Sequence, residues 1–112
     1  MKKKHKIAIV GAGGIGQAVA LILAELSEES PVIYLGDAYE TSAQEAVKWV
    51  KEGLTKEATV EAFNMPFEGI NDAMQTVFED CAVVLDCLPG SQAPRIAGFA
   101  KQYGMHYANL TE

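Results

Sequence analysis

Apolar residues follow two spacings along the chain, short continuous runs and longer stretches in which they recur every three or four positions. Continuous runs indicate strands buried on both faces, and the wider spacing indicates helices with one apolar face. Continuous runs predict buried strands at 6–10 and 82–87, and alternation predicts a strand at 58–63. Strands at 32–35 and 105–109 bring the predicted number to five. The stretches between them predict four helices: from Gly14 to about Leu26, from near Thr41 to Gly53, one after Asn71 and one around Pro94.

Two details of these helices are specific enough to be checked. The first helix is expected to bury a stripe formed by Ile15, Ala18, Val19, Ile22 and Leu23. The second helix is expected to open on a capping box, formed either by Thr41 with Gln44 or by Ser42 with Glu45.

Strands and helices alternate strictly, with short connections and no internal repeat. Alternation of this kind predicts an α/β fold in which helices cover both faces of a parallel sheet. The predicted fold class is therefore a Rossmann-type, doubly wound, three-layer domain. The 112 residues suffice for one such domain, but they are few for an enzyme that must also form a substrate pocket.

A glycine cluster follows the first predicted strand, where Gly11, Gly13 and Gly16 match G-x-G-x-x-G. The first glycine permits a sharp turn, the second lets a pyrophosphate approach the backbone, and the third lets helix and strand pack closely. A purely structural turn is the alternative. Protein kinases carry a similar glycine string between two strands, and methyltransferases use a tighter spacing, whereas here the glycines open a helix.

Asp37 ends the second predicted strand, about twenty residues after the glycines, where a carboxylate can accept both hydroxyls of an adenine ribose. This acid favours a dinucleotide site over a structural turn. It also favours NAD over NADP, because it repels a 2′-phosphate and residues 38–40 supply no lysine or arginine. FAD is less favoured, since FAD folds commonly interrupt this series of strands.

Charge and cysteine content exclude several other classes. The net charge of −6 disfavours nucleic acid and anionic membranes as partners. The basic run from Lys2 to Lys6 is expected to be a solvated leader before the first strand. Cys81 and Cys87 lack the paired spacing of a disulfide framework or a metal site, so no metal is expected. No apolar run reaches membrane-spanning length, and a cytoplasmic location is expected.

Three segments together, "IVGAGGIGQAVA", "CAVVLDCLPG" and "AKQYGMHYANLTE", resemble the N-terminal cofactor domain of the saccharopine dehydrogenase family. The last segment contains the family's pattern G-x-H-Y-x-[DN]-x-[ST]. The resemblance covers essentially the whole chain. It implies hydride transfer between a nicotinamide and the imine carbon of an amino-acid-derived secondary amine.

The resemblance also implies which residues contact the cofactor. The pyrophosphate loop is matched by Gly11, Gly13, Gly14, Ile15 and Gly16, and the ribose acid by Asp37. The adenine is expected near Ala38, Asn64 and Met65, and the nicotinamide ribose near Cys87, Leu88 and Pro89. Ala38 replaces an arginine that many members have, so the contact of that arginine with adenine is absent. Cys87 is not expected to be a nucleophile, and no catalytic residue is assigned, including His106 and Tyr107.

The chain is accordingly expected to be residues 1–112 of a longer enzyme whose C-terminal domain binds the amino-acid-derived substrate and supplies the acid or base. Such a fragment should bind NAD without turning over substrate. It can expose apolar surface, through which it can associate into a homo-oligomer. The competing hypothesis is a stand-alone nucleotide-sensing module of the kind attached to ion channels and transporters. A Rossmann-like domain that has lost its ligand is the third.

Overall fold

The computed structural model describes residues 3–110, without the side chains of residues 3 and 4. Strands and helices alternate as the sequence predicts. In chain order they are β1 (Lys3–Val10), α1 (Gly14–Leu26), β2 (Val32–Asp37), α2 (Glu40–Gly53), β3 (Thr59–Asn64), α3 (Asp72–Asp80), β4 (Cys81–Asp86), α4 (Ala93–Tyr103) and β5 (His106–Asn109). A 3₁₀ turn at Gly90–Gln92 leads into α4.

The five strands form one parallel sheet in the order β3-β2-β1-β4-β5. α1 and α2 pack on one face, over β1 to β3, and α3 and α4 pack on the other. Each face has its own apolar core. One core is centred on Ile9, Ile33 and Leu35 under α1 and α2, and the other on Phe78 and Ile96 on α3 and α4. The predicted fold class, a three-layer doubly wound domain, is confirmed.

The buried stripe of α1 was predicted wrongly. Its fully buried residues are Gly16, Ala20 and Ala24, four positions apart, while Ile15 and Ile22 are about half exposed. Val19 and Leu23 pack only at the margin of the core, and Ala18 is exposed. Small residues on the inner face let α1 approach the sheet closely, which leaves the larger side chains at its flank.

The capping box predicted for α2 is also wrong. The helix begins at Glu40, with Tyr39 as its N-cap residue and with no capping bond from a side chain. The Tyr39 carbonyl accepts from the Ala43 amide, so the first helical turn starts before Thr41 and Ser42. The Tyr39 amide donates to the Asp37 carboxylate, which anchors the helix start to the end of β2.

The basic leader is likewise not separate from the first strand, because β1 already begins at Lys3. Within β1, the Lys6 ammonium forms an ion pair with Asp80 at the end of α3. This hydrogen bond raises the pKa of Lys6 above its ordinary value. Lys2, the first residue of the predicted leader, lies outside the described residues.

Candidate dinucleotide-binding site

The strand order reverses between β1 and β4, because the chain builds β2 and β3 on one side of β1 and then crosses back to β4 and β5. Val10 and Asp86 are neighbours where these two strands end. In open parallel sheets, ligands bind in the crevice outside the carboxyl ends of the strands at such a reversal. The glycine loop, residues 11–13, and the turn at residues 87–89 both leave the sheet at this point.

Gly11 joins three strand ends. Its φ is +102°, and a Cβ there would lie 2.7 Å from the Cys87 carbonyl oxygen. Its amide donates to the Gly36 carbonyl at 2.8 Å, and the Cys87 amide donates to the Val10 carbonyl at 2.8 Å. The backbones of the glycine loop and of the 87–89 turn are therefore in direct contact, and a side chain at Gly11 would separate them.

The remaining glycines of the motif divide into two kinds. A Cβ on Gly16 would lie 2.0 Å from the Gly11 carbonyl oxygen, so packing of α1 requires glycine at this position. A Cβ on Gly13 or Gly14 would meet no described atom within 4 Å. Packing within the described chain gives no reason for these two residues to lack side chains. The space over them is open to a ligand.

The N-terminus of α1 adds favourable electrostatics to that space. Gly13 is the N-cap residue, and no described side chain caps the helix. The amides of the first turn are thus available to an anion, and the helix dipole favours negative charge there. Ile15, in this turn, is 51% exposed.

Asp37 lies where β2 ends, and its carboxylate bridges two backbone segments. Oδ2 accepts from the Ala12 amide and Oδ1 accepts from the Tyr39 amide, both at 3.0 Å. The carboxylate is therefore fixed beside the glycine loop and the start of α2. This is the position that the sequence predicted for an acid facing an adenine ribose.

A cavity of about 250 Å³ opens beside Asp37. Its wall is mainly apolar, as is usual for small-molecule sites. It is lined by Asp37, Ala38, Met65, Pro66, Phe67, Leu88, Pro89, Ser91, Gln92 and Arg95. The structure thus brings together the ends of β2, β3 and β4, as expected for residues 37, 38, 65, 88 and 89.

The other half of this lining was missed by sequence reasoning. Pro66 and Phe67 extend the wall beyond Met65, while Ser91, Gln92 and Arg95 come from the 3₁₀ turn and the start of α4. A usable signal was present, because the segment after a strand's carboxyl end lies at the same edge of the sheet. Arg95 is also the only arginine in the sequence.

Asn64 lies next to the cavity but does not line it. Its Nδ2 donates to the Ala38 carbonyl at 3.3 Å, and its Oδ1 accepts from Asn71 Nδ2 at 3.1 Å. The amide therefore links the ends of β2 and β3 to the start of α3. Its predicted contact with adenine stays a prediction.

Cys87 does not line the cavity either, and its environment disfavours a thiolate. Burial, followed by the charge of the neighbouring Asp86, raises the pKa of the Cys87 thiol from 9.0 to about 11. Nucleophilic cysteines have depressed pKa values. Cys81 is fully buried, and both cysteines are free thiols.

Asp86 is a fully buried carboxylate at the end of β4. Oδ1 accepts from the Leu88 amide at 3.0 Å, and Oδ2 accepts from the Tyr107 hydroxyl at 2.8 Å. Asn109 Nδ2 in turn donates to the Tyr107 hydroxyl at 3.1 Å. Burial and the bond to Asp86 raise the pKa of Tyr107. The Tyr107 hydroxyl thus supports the 87–89 turn, while His106 is exposed.

The sequence pattern of the saccharopine dehydrogenase NADP binding domain matches residues 7–112. The chain belongs to this family. It is thus an NAD(P)-binding domain of the dehydrogenase type, and the resemblance inferred from its three segments is confirmed. No curated protein sequence matches the chain.

Solved structures show the same fold in larger dehydrogenases. This chain superposes on saccharopine dehydrogenase (L-Glu forming) from Saccharomyces cerevisiae with a TM-score of 0.72 and 17% sequence identity. The match covers 96% of this chain and 22% of the yeast enzyme. Scyllo-inositol dehydrogenase from Lactobacillus casei gives 0.67 and 17%, over 97% and 29%. Quinate dehydrogenase from Corynebacterium glutamicum, in complex with NAD, gives 0.55 and 24%, over 79% and 28%.

The chain spans less than a third of the length of each of these three structures. The family's description names NADP, whereas Asp37 and Ala38 led us to expect NAD. No helix among residues 3–110 is both long and apolar enough to cross a membrane.

Proposed function

We propose that this domain binds NAD and is the cofactor domain of a saccharopine-dehydrogenase-type oxidoreductase. The observation that carries the proposal is the open space over Gly13, at the start of α1 and beside the fixed carboxylate of Asp37. A purely structural turn would account for Gly11 and Gly16. It gives no reason for the absence of a side chain at Gly13.

The proposed cofactor lies across the carboxyl edge of the sheet. Its adenosine end occupies the cavity, where Asp37 accepts the ribose hydroxyls and Met65 contacts the base. Its pyrophosphate lies over Gly13 and Gly14, against the amides of the first turn of α1. The nicotinamide then extends past the reversal of strand order, toward the turn at residues 87–89.

The preference for NAD over NADP is part of this proposal. A 2′-phosphate would approach the Asp37 carboxylate, and residues 38–40 offer no cation to offset the repulsion. Arg95 lines the same cavity, but its guanidinium already donates to the backbone carbonyls of Pro66 and Gly69. The family is named for NADP, so titration with both dinucleotides tests this preference directly.

The parent enzyme is proposed to transfer a hydride between the nicotinamide and the imine carbon of an amino-acid-derived secondary amine. The bound nicotinamide supplies the hydride chemistry, and the residues of this chain bind and orient it. An additional domain of the parent enzyme would bind the substrate. A cytoplasmic location is part of the same proposal.

Gly13→Ala tests the site without disturbing the fold. The added methyl group meets no described atom within 4 Å, so the free energy of unfolding should change by less than about 1 kcal/mol. The methyl group would occupy the space proposed for the pyrophosphate. Calorimetric titration should show the affinity for NAD falling at least about tenfold, a loss of about 1.4 kcal/mol of binding free energy.

Gly98→Ala is the matched control. It adds the same methyl group in open space on α4, outside the cavity lining, and should leave the affinity unchanged. Equal affinities in the wild type and in Gly13→Ala would contradict the placement of the pyrophosphate. Gly16→Ala is unsuitable for this purpose, since its Cβ would collide with the backbone of Gly11.

A further inference from the structure

The loop between β3 and α3, residues 65–71, forms one wall of the cavity through Met65, Pro66 and Phe67. Each end of this loop is hydrogen-bonded to the body of the domain. The Met65 amide donates to the Asp37 carbonyl at 3.0 Å, and the Asn71 side chain accepts from the Met74 amide at 2.9 Å and donates to Asn64. In the middle of the loop, residues 66–70, the Phe67 ring packs edge-on against the Tyr39 ring, with centroids 5.6 Å apart, which leaves the backbone without a hydrogen bond from this contact.

Arg95, near the start of α4, holds the backbone of this part of the loop. Its Nη2 donates to the Pro66 carbonyl at 2.9 Å and to the Gly69 carbonyl at 2.7 Å. Gly69 has a φ of +74°, in the left-handed region that glycine adopts readily. Within residues 3–110, these two bonds are the hydrogen bonds that hold the middle of the loop.

The guanidinium is itself held in place. Nη1 donates to Gln92 Oε1 at 3.2 Å, and Cζ lies 5.4 Å from the centre of the Phe99 ring. Its Nε is buried and has no hydrogen-bond partner among the described atoms. Both Nη atoms are hydrogen-bonded and the Phe99 ring lies beside the guanidinium, so the orientation of the group toward the loop is fixed.

We propose that Arg95 is a positioning residue of the cofactor site, which fixes the 65–71 loop as the wall against which the adenine packs. The inference rests on the proposed function. It assigns Arg95 no contact with the reacting atoms. The only arginine of the chain therefore acts on cofactor affinity through the backbone of another element, and a folded protein without it should bind the adenosine end of NAD weakly.

Arg95→Met tests this, because methionine keeps an apolar stem of similar course and removes both bonds to the loop. We expect the affinity for NAD and for AMP to fall at least about tenfold in calorimetric titration. The ¹⁵N order parameters of residues 67–70 should fall from about 0.85 toward 0.6, while those of residues 27–30 stay unchanged. Lys101→Met, which removes one positive charge from the exposed end of α4, should alter neither quantity.

Arg95→Lys separates positioning from charge. An ammonium keeps the charge but lacks the planar, branched donor group that reaches two carbonyls, so we expect at least threefold weaker binding and a more mobile loop. An affinity of Arg95→Lys equal to that of the wild type would overturn the proposal. So would wild-type order parameters in the loop of Arg95→Met if that variant binds NAD more weakly. If Arg95→Met does not fold, Arg95→Lys decides alone. A wild-type chain that binds neither NAD nor NADP would instead contradict the proposed function.

Discussion

Individual residues at this site differ in whether the fold or the ligand accounts for them. The fold requires glycine at positions 11 and 16. A Cβ on Gly11 would lie 2.7 Å from the Cys87 carbonyl oxygen, and a Cβ on Gly16 would lie 2.0 Å from the Gly11 carbonyl oxygen. Gly13 has no such constraint. The motif spacing predicts a turn at Gly11 and close packing at Gly16, and the geometry agrees for both, while Gly13 leaves the open space that the motif reserves for a pyrophosphate.

Cys87 shows how burial suppresses chemistry that its position would otherwise suggest. Because the pKa of its thiol is raised to about 11, the thiolate is scarce at neutral pH. We expect Cys87 to be alkylated by iodoacetamide at pH 8 at least about tenfold more slowly than the same cysteine in a short peptide of residues 83–91. Mass spectrometry of digested samples measures the rate for Cys87 and for the buried Cys81 separately.

The same pKa gives the pH dependence a definite sign. The folded state favours the neutral thiol of Cys87. The contribution of this thiol to the free energy of unfolding is therefore fully present below about pH 9 and is lost as the pH rises toward 11. The alkylation rate of Cys87 should therefore keep rising above pH 9, where that of the peptide levels off. A Cys87 rate equal to that of the peptide at pH 8 would show that the thiol is not held neutral.

At the scale of helices and strands, the sequence predicts which elements form more reliably than which faces they bury. Continuous apolar runs identify the central strands β1 and β4, whereas β3 and β5 lie at the edges of the sheet and are partly exposed. α1 is misread because its inner face consists of Gly16, Ala20 and Ala24, which add little to a hydrophobic pattern. The larger Ile15 and Ile22 dominate the pattern from the exposed flank.

Side-chain hydrogen bonds between elements far apart in sequence are also beyond a one-dimensional pattern. The start of α2 depends on the bond from the Tyr39 amide to Asp37, and the cavity wall depends on Arg95 reaching a loop 26–29 residues earlier in the chain. The first bond has the two-residue spacing of an Asx turn, a local pattern, whereas the bonds of Arg95 span too many residues for any local pattern to predict them. The cavity residues at strand ends could be predicted by residue, whereas the start of α4 could be placed only at the same edge of the sheet, without the contacts that Arg95 makes.

The link between β4 and β5 gives a prediction on stability. Tyr107→Phe removes the hydroxyl that donates to the fully buried Asp86 carboxylate. Leaving a buried charge with one fewer donor should lower the free energy of unfolding by about 1–3 kcal/mol, measured by urea denaturation. The affinity for NAD should also fall, because Asp86 holds the Leu88 amide of the 87–89 turn.

Tyr103→Phe is the control for this prediction. Tyr103 packs its ring against Phe78 in the same apolar core, and no hydrogen bond of its hydroxyl is found within residues 3–110. Its replacement should cost less than about 0.5 kcal/mol. Equal effects of the two substitutions would mean that the bond from Tyr107 to Asp86 contributes nothing to stability.

For the whole molecule, the fold and the family are established, and the cofactor is known only as far as NAD(P). The family pattern extends over residues 7–112, and the sheet order creates the crevice in which such domains bind their ligands. An additional domain of the parent enzyme is proposed to bind the substrate and to supply the acid or base that acts on it. The chain alone should therefore bind the cofactor without oxidising saccharopine.

The most direct test of this account is calorimetric titration of the wild-type chain with NAD and, separately, with NADP. We expect one NAD to bind per chain, with NADP binding at least about tenfold more weakly because its 2′-phosphate approaches the Asp37 carboxylate. Tighter binding of NADP would contradict the preference that we derive from Asp37 and Ala38. The absence of binding by either dinucleotide would contradict the central claim.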